Sequence, residues 1–399
     1  MKRREAFLHT PFDLLAIFIV ILTQWHMSRQ FLAAAGRSLS ARAALVTRWA
    51  LAVFYALMAA AFALGFAFLA SRLVRRFNLP ANPAQIAGAV AQIWLFGTTA
   101  GYLAYRAVRF LAERFWGPTT FDPARRRLLN ATGSALLAAP FAIVGYGMLI
   151  ERLDFHVREV EIPVPNLPDG LDGLRLLHLS DIHLSAFLSE KDLARVIDTA
   201  NELHPHLALV TGDLITAAGD PLETCLRQLA RLRADAGILG CMGNHEDYAM
   251  VENLTEREGA RLGIPFLRGR AQPLRFGGAV LNVAGVDYQR SGKDYLPGAE
   301  RLVLPGAYNL LLSHNPDVFP VAVEKGYDLT LAGHTHGGQV TVEILHQPIN
   351  AARFFTPFVY GLYRRGAAAE YVTRGIGTIG IPARIGAPPE IALLRLRKA

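Results

Sequence analysis

The 399-residue chain has only two cysteines, Cys225 and Cys241. Two cysteines cannot build the disulfide framework of a small secreted domain, so we expect both to be small, buried apolar residues. The carboxy-terminal part also lacks an excess of positive charge, since residues 171–399 carry 23 Lys and Arg against 24 Asp and Glu. A nucleic-acid-binding domain carries positive charge on its folded part. We therefore expect no nucleic-acid partner.

Charged residues are nearly absent from three long apolar stretches in the amino-terminal part, Trp49–Ala70, Ile86–Val108 and Leu128–Ile150. Each reaches the roughly 20 residues needed to cross a bilayer, and arginines cluster between them. A fourth stretch, Phe12–Met27, could be a span, a signal anchor or an interfacial helix. We expect residues 1–158 to form an α-helical membrane module with three or four transmembrane helices and the lipid bilayer as its partner.

The module predicts a multi-pass protein of the cell (plasma or inner) membrane. Lys and Arg are fewer on the side of the membrane that holds the carboxy-terminal part, by a slight margin with four spans and a clear one with three. The positive-inside rule then favours an extracytoplasmic position for that part. Prolines at 163, 165 and 168 and a glycine at 170 predict a linker over 159–172, with a second domain over 173–399.

Five short apolar runs in the second domain are each followed by metal-ligand residue types. Helix-like stretches follow two of the runs, so the pattern predicts an α/β domain whose polar residues gather at the carboxyl ends of its strands. The runs and the residues that follow them are Leu174–Leu179 with Asp181 and His183, His206–Val210 with Asp213, Ile238–Met242 with Asn244 and His245, Tyr308–Leu312 with His314, and Tyr327–Leu331 with His334 and His336.

Two of these ligand pairs have the spacing i, i+2. In extended backbone, Asp181 and His183 would point to one side, as would His334 and His336. Neutral imidazoles converging with carboxylates indicate a metal site. The oxygen and nitrogen donors suit Mn²⁺, Fe or Zn²⁺, and the pattern does not choose among the three.

The ordered motifs Asp-x-His, Gly-Asp, Gly-Asn-His-Glu, a lone His and Gly-His-x-His resemble the calcineurin-like metallophosphoesterase superfamily. The segments Tyr371–Gly377 and Pro388–Ile391 are similar to its bacterial membrane-associated branch. That branch includes transmembrane proteins with a metallophosphoesterase domain, and some UDP-2,3-diacylglucosamine hydrolases resemble it. The resemblance covers residues 173–399 and implies a four-layered α/β/β/α sandwich with two divalent metal ions, of which manganese is favoured.

By the positions of its motifs, the resemblance implies two metal-ligand sets that share one bridging carboxylate. The first set is Asp181, His183, Asp213 and His336, and the second is Asp213, Asn244, His314 and His334. His245, beside a ligand, is the candidate general acid, and its alternative is a histidine that supports a ligand by hydrogen bonding. Arg374 is a candidate substrate-binding residue, because a guanidinium pairs well with phosphate oxygens.

These expectations describe a metal-dependent phosphodiesterase in which a metal-bound hydroxide attacks a phosphoester, one that is lipid-linked or amphiphilic. One alternative is a UDP-2,3-diacylglucosamine pyrophosphatase of lipid A synthesis, which needs a cytoplasmic active site. An alternative of another class is a non-catalytic membrane sensor or scaffold. An aromatic and arginine-rich insert over residues 353–365 is either a lid at the bilayer interface or a satellite hydrophobic cluster.

Overall fold

The computed structural model describes residues 11–38, 40–65, 72, 76, 81–116, 123–290, 294–344 and 347–399. Two compact units divide the chain. The first contains residues 1–65 and 87–145, and the second contains residues 66–86 and 146–399. The parts of the apolar stretch Trp49–Ala70 beyond Gly65 lie outside the described residues.

The first unit is helical. Two described segments, Ala41–Leu64 and Asn82–Phe115, are long and apolar enough to cross a membrane. The stretches Phe12–Met27 and Leu128–Ile150 also lie in or overlap helices, but these do not meet the same test of length and apolarity among the described residues. The four long helices are α1 (Pro11–Ser38), α2 (Ala41–Leu64), α3 (Ala81–Trp116) and α4 (Pro123–Leu149).

Helix α2 shows what kind of surface this unit presents. None of its residues is buried, and even its large apolar side chains are exposed, Trp49 by 67% and Leu57 by 61%. Ser40 accepts a hydrogen bond from the backbone N–H of Ala43 and so starts the helix, and Gly65 ends it. An apolar helix without a buried face matches a lipid environment.

The described residues of the second unit contain thirteen strands and five further α-helices. The helices are α5 (Glu190–Glu202), α6 (Leu222–Leu229), α7 (Asn244–Ala249), α8 (Glu252–Arg261) and α9 (Phe319–Glu324). The strands are β1 (His156–Val164), β2 (Arg175–Leu179), β3 (Leu207–Val210), β4 (Ile238–Gly240), β5 (Arg270–Phe276), β6 (Ala279–Gly285), β7 (Tyr308–Leu312), β8 (Leu329–Ala332), β9 (Thr341–Ile344), β10 (Gln347–Asn350), β11 (Gly361–Arg365), β12 (Ala368–Val372) and β13 (Glu390–Lys398).

The strands form two large sheets and a small hairpin. One sheet has the order β1-β13-β2-β3-β4, the other has the order β11-β12-β8-β7-β6-β5, and β9 pairs with β10. Strands β2, β3 and β4 are mutually parallel, as are β6, β7, β8 and β12. The carboxyl ends of these strands therefore emerge along one edge of each sheet. The five strands expected from the sequence are confirmed within a few residues.

The alternation of apolar side chains explains how the sheets pack. In β3, Leu207 and Leu209 belong to a buried cluster shared with strands of the other sheet, whereas Ala208 and Val210 pack with α5 and α6. A third cluster joins β6 and β7 to α9. Both cysteines are buried and free, as expected. Helices thus cover the outer face of each sheet, and a core shared by both sheets lies between them.

The amino-terminal boundary of this unit differs from the expected one. Residues 156–164, which the sequence assigned to the membrane module and the linker, form β1 and pair in parallel with β13. The prolines at 163 and 165 led to the linker prediction. Pro163 lies in β1, an edge strand, where a missing N–H is tolerated because one side of the strand has no ladder to join.

Candidate metal centre

The structure brings all seven sequence-predicted ligand residues to the edge where the parallel strands end. Asp181 and His183 follow β2, Asp213 follows β3, and Asn244 opens α7 after β4. On the second sheet His314 follows β7, and the pair His334 and His336 follows β8. Six of the seven are buried, and His334 is half-buried. The site therefore lies at the carboxyl ends of the parallel strands of the two sheets.

The backbone at these residues is not extended. Ten described non-glycine residues have positive φ, and five of them are predicted ligands. Since only glycine adopts this region freely, such clustering is typical of functional sites. The side chains thus converge through tight left-handed turns, so the prediction of extended i, i+2 pairs was wrong. The five are Asp181, His183, Asp213, His334 and His336.

Two glycines are required here because the loops that carry the predicted ligands approach each other closely. A Cβ on Gly333 would lie 2.1 Å from the Oγ of Ser180 and 2.2 Å from an oxygen of Asp181. A Cβ on Gly243 would lie 2.1 Å from an oxygen of Asp213. Any side chain at either glycine would push a predicted ligand out of place.

One group of donors surrounds Asp181. The Nε2 of His336 is 3.3 Å from a carboxylate oxygen of Asp181 and 3.2 Å from the Nε2 of His183. The Nε2 of His183 is also 3.6 Å from an oxygen of Asp213. The backbone N–H of His334 donates to both oxygens of Asp181, at 3.0 and 3.1 Å, which fixes the orientation of that carboxylate.

A second group of donors shares Asp213 with the first. The Nε2 of His314 is 3.0 Å from a carboxylate oxygen of Asp213 and 3.2 Å from the Nδ1 of His334. The Nδ1 of His314 lies 2.6 Å from the carbonyl oxygen of Thr211, so that nitrogen carries the proton and Nε2 is left to face the site. Asp213 thus stands between the two groups, as a bridging carboxylate would.

The donors fit a pair of divalent cations. Three overlapping sets of three His or Asp residues have donor atoms within 4.8 Å of one another. The amide oxygen of Asn244 is buried and accepts no hydrogen bond within the described residues, and the Nδ1 of His336 is likewise without such a partner. A buried amide oxygen without a donor is costly unless a cation faces it.

Burial and charge set the protonation of the imidazoles. Burial, assisted by His314, lowers the pKa of His334 to about 4, and it lowers the pKa of His183 and His336 well below the usual value. Burial also lowers the pKa of His314, but Asp213 and Asp181 outweigh it and raise that pKa to about 9. Three imidazoles are thus neutral, as metal ligands must be, and a proton occupies the fourth between two carboxylates, where a cation would compete with it.

His245 lies beside the shared carboxylate. Its Nδ1 is 2.5 Å from the carbonyl oxygen of Thr216, so Nδ1 carries a proton, and its Nε2 is 3.9 Å from an oxygen of Asp213. Its ring meets that of His183 edge-on, with centroids 4.7 Å apart. Any proton that His245 transfers would therefore leave from Nε2, on the side that faces the predicted ligands.

Sequence reasoning missed Glu246, although it had quoted the motif that contains it. Its buried carboxylate accepts the backbone N–H groups of Asp213, Leu214 and Gly243 at 2.7–2.9 Å. It therefore connects the loops after β3 and β4 and fixes the backbone of the shared carboxylate residue. A glutamate three residues after a glycine at the start of a helix is the available signal, because this is the capping-box position.

Sequence reasoning also missed Arg384, whose side chain is fully buried. Its guanidinium donates to the carbonyl oxygens of Gly377, Gly375 and His336, with the shortest bond 2.6 Å long. Burial lowers its pKa to about 10. No local pattern marks this residue, because its partners are backbone carbonyl oxygens and these leave no side-chain motif in the sequence.

Arg374, the candidate substrate-binding residue, is placed near the centre. A Cβ on Gly337 would lie 2.8 Å from the Cγ of Arg374, which puts the arginine against the residue that follows His336. Its guanidinium stacks on Tyr360 at 4.3 Å, and its buried Nε has no hydrogen-bond partner among the described residues. This Nε lies 4.0 Å from a carboxylate oxygen of Glu390 without a hydrogen bond, and a guanidinium so placed beside the predicted ligands is compatible with phosphate binding.

The aromatic insert divides into two parts. Phe358 packs edge-on against Phe319 and Tyr363, with centroid separations of 5.9 and 5.2 Å, and so forms a satellite cluster. Phe354 and Phe355 are instead 67% and 51% exposed. The satellite-cluster alternative therefore describes the part around Phe358 and Tyr363, and the lid at the bilayer interface stays a prediction for the exposed pair.

A buried cluster of carboxylates and imidazoles at the meeting edge of two sheets defines a metal-dependent phosphoester hydrolase. Residues 174–338 match the family model for calcineurin-like phosphoesterases, and the chain carries a domain of this family. The family uses two divalent metal ions. All the predicted ligand positions lie within the matched residues.

Named relatives agree with this assignment. The chain is 29% identical to an uncharacterized metallophosphoesterase, YkuE, of Bacillus subtilis over 68% of this chain and 97% of the relative. It is 28% identical to Phosphodiesterase YaeI of Escherichia coli over 68% of this chain and 98% of the relative. It is 33% identical to a transmembrane protein with metallophosphoesterase domain of Danio rerio, over 64% of this chain but only 60% of that relative. The relative's name and the two apolar helices together indicate membrane association.

Proposed function

We propose that the chain is a multi-pass membrane phosphodiesterase that hydrolyses a lipid-linked or amphiphilic phosphoester. The observation that carries the proposal is the position of Asp213 between two groups of donors. In this proposal one metal ion is held by Asp181, His183, Asp213 and His336, and the other by Asp213, Asn244, His314 and His334. The mixed oxygen and nitrogen donors suit Mn²⁺, Fe and Zn²⁺, and the resemblance to the superfamily favours Mn²⁺ among them.

When bound, a pair of such ions lowers the pKa of a water molecule and polarises the phosphoryl oxygens. The residues of this chain supply the remaining requirements. The backbone N–H of His334 donates to both oxygens of Asp181 and orients it. Glu246 connects the loops that hold Asp213 in place. This preorganisation means that little rearrangement is needed when the phosphoester binds.

His245 is the proposed general acid. The carbonyl of Thr216 holds its Nδ1 proton, so an imidazolium at this position would present a second proton at Nε2 toward the reacting centre. That proton would go to the leaving oxygen of the phosphoester. Arg374, whose Nε has no hydrogen-bond partner among the described residues, would pair with a phosphoryl oxygen.

The amphiphilic substrate is supported by the surface beside the predicted ligands. The exposed Phe354 and Phe355 follow Asn350, which touches Gly338, two residues after His336. Two exposed phenylalanines next to a phosphoester site would receive an acyl or other apolar group of the substrate. The membrane association of the chain would bring such a molecule to the site.

Hydrolysis of a soluble aryl phosphodiester by the full chain in detergent, loaded with Mn²⁺, tests the chemistry. We expect turnover by the wild type and only background turnover by Asp213→Ala, which loses the carboxylate shared by both donor groups. His156→Ala is a matched control, because His156 is exposed on β1 and pairs only with Asp154 in the described structure. Full activity of Asp213→Ala would overturn the assignment.

A second comparison tests the amphiphilic substrate. The double variant Phe354→Ser/Phe355→Ser should raise the KM for a phosphodiester with a long alkyl chain and leave the KM for the small aryl diester unchanged. Leu304→Ser, at another partly exposed apolar residue, is the control. Equal KM changes for both substrates would contradict the role of the two phenylalanines.

The side of the membrane is part of the proposal. The distribution of basic residues supports an extracytoplasmic domain. A reporter enzyme that is active only outside the cytoplasm, fused after Ala399, should be active. Activity of a cytoplasm-specific reporter instead would contradict this topology and would make nucleotide-linked substrates accessible.

A further inference from the structure

Gln85 lies outside the phosphoesterase domain but is placed among its loops. It is in the first turns of α3, and its residue is 6% exposed. Residues 66–86, which include Gln85, belong to the same compact unit as the domain. The family match begins only at residue 174. A buried polar side chain from so distant a part of the sequence requires a reason for its position.

The amide of Gln85 bridges two loops of the centre. Its Nε2 donates to both carboxylate oxygens of Asp220, at 2.8 and 3.0 Å. Its Oε1 accepts the backbone N–H of Ala186 at 3.4 Å. Ala186 lies on the loop that follows His183, and Asp220 lies on the loop that follows Asp213. The amide therefore joins the loops that leave β2 and β3.

Asp220 in turn closes a short turn. One of its oxygens, Oδ2, accepts the backbone N–H groups of Thr216 and Ala217 at 3.0 and 2.8 Å. The carboxylate is buried, so these bonds and those from Gln85 are needed to satisfy it. The position of Thr216 thus depends on Asp220, and the position of Asp220 depends on Gln85.

Thr216 contacts two imidazoles of the centre. Its carbonyl oxygen receives the Nδ1 proton of His245, and its Oγ1 lies 3.3 Å from the Nδ1 of His183. These bonds fix which nitrogen of each ring faces the predicted metal ions. Partners of this kind commonly change metal affinity or activity by about 10–100-fold when they are removed.

We propose that Gln85 is a positioning residue of the phosphodiesterase centre, acting through Asp220 and Thr216 on His245 and His183. The proposal rests on the proposed function for its effect on turnover, but its effect on the metal site does not require any substrate. It means that the first turns of α3, which belong to the same unit as the phosphoesterase domain, complete the site. A domain cut at residue 173 would lack this support.

The test uses the full chain in detergent and exchanges the two hydrogen-bonding groups. Gln85→Glu places a carboxylate against Asp220, and Asp220→Asn places an amide against the amide of Gln85, so each should lower kcat and weaken Mn²⁺ binding about tenfold or more. In the double variant, the new amide at position 220 donates to the new carboxylate at position 85 and still accepts from Thr216 and Ala217. We expect the double variant to recover most of both losses.

Gln92→Ala is the control for Gln85→Ala, because Gln92 is a buried glutamine of the same helix, 7% exposed, in the other unit. Gln85→Ala should lower kcat with little change in KM and weaken Mn²⁺ binding measured by calorimetry, whereas Gln92→Ala should change neither. The proposal would be overturned if the fold losses of kcat and Mn²⁺ affinity in the double variant equalled the product of the losses in the two single variants. If the wild type hydrolyses no diester, the proposed function fails, and the Mn²⁺ affinities alone decide the role of Gln85.

Discussion

The buried polar side chains of the helical unit and of the phosphoesterase unit differ in kind. Among the described residues of the helical unit they are uncharged, namely Thr23, Gln24, Gln92, Thr98 and Thr99. The other unit buries charged or titratable groups, including Asp181, Asp213, Glu246, Glu370 and Arg384. An ionised group is costly in a bilayer, whereas a folded domain can pair it or present it to a cation.

Three of the buried polar side chains of the helical unit, Gln24, Thr98 and Thr99, are hydrogen-bonded to one another. The Nε2 of Gln24 donates to the hydroxyl oxygens of Thr98 and Thr99 at 2.7 and 3.1 Å, and Tyr55 donates to its Oε1. By contrast, several buried groups of the other unit have no hydrogen-bond partner among the described residues, such as the amide oxygen of Asn244. Polar groups of the helical unit thus connect helices, whereas Asn244 in the other unit keeps an oxygen that a ligand can use.

His245→Ala should have the largest effect of the variants that follow from this comparison. Removing the proposed general acid should lower kcat by about 10²–10⁴. The metal content should remain that of the wild type, because the predicted ligands are untouched. Stopped assays with the aryl diester and elemental analysis of the same preparation measure both. Loss of metal together with activity would make His245 a ligand or a structural residue.

Glu370 carries a buried carboxyl group of the domain that lies outside the proposed site. Both of its oxygens are buried without a partner among the described residues, and burial, together with nearby Asp317, raises its pKa well above the usual value. The native state therefore keeps a proton that the unfolded chain releases, so stability falls as the pH rises above the unfolded pKa of about 4.3, by up to about 1.4 kcal/mol per pH unit until the native group ionises.

Glu370→Gln should remove this loss and raise the melting temperature at pH 7 more than at pH 4.5. Thermal unfolding in detergent at the two pH values measures the effect. Glu324→Gln, at an exposed glutamate of α9 paired with Arg365, should leave the pH dependence as it is. An equal change in melting temperature at both pH values would show that the Glu370 carboxyl is not protonated in the native state.

Gln24→Leu should have the smallest effect. It removes the hydrogen bonds to Thr98 and Thr99 and should destabilise the helical unit by about 1 kcal/mol, since single bonds of this type in membranes contribute about 0.6 kcal/mol on average. Turnover of the aryl diester should not change. A loss of turnover comparable to that of His245→Ala would break the distinction between the two regions.

The sequence predicted the strand ends and their residues because both depend on local patterns. Apolar runs define buried strands, and parallel strands deliver their carboxyl ends to one edge, so Asp181, Asp213 and His314 could be grouped before any coordinates. Left-handed backbone at those ends could not be predicted, because propensity disfavours it at Asp and His and only the surrounding fold enforces it.

Long-range partners were also beyond the sequence. Gln85 and Asp220 are 135 residues apart, and nothing in either segment marks the other. Arg384 gives no local signal for another reason, because its partners are backbone carbonyl oxygens, which leave no side-chain motif in the sequence. The sequence assigned β1 to the membrane module and the linker because of the prolines at 163, 165 and 168, and the pairing of β1 with β13 depends on a segment more than 200 residues away.

In the proposed site, the seven predicted ligands hold two metal ions with Asp213 between them. The most direct measurement is the amount of metal in the purified full chain after loading with Mn²⁺ and removal of the excess, by elemental analysis, for the wild type and Asp213→Ala. We predict about two ions per wild-type chain and a loss of both in the variant. A wild-type chain that hydrolyses the diester with no bound metal, or a variant that retains both ions, would contradict the account.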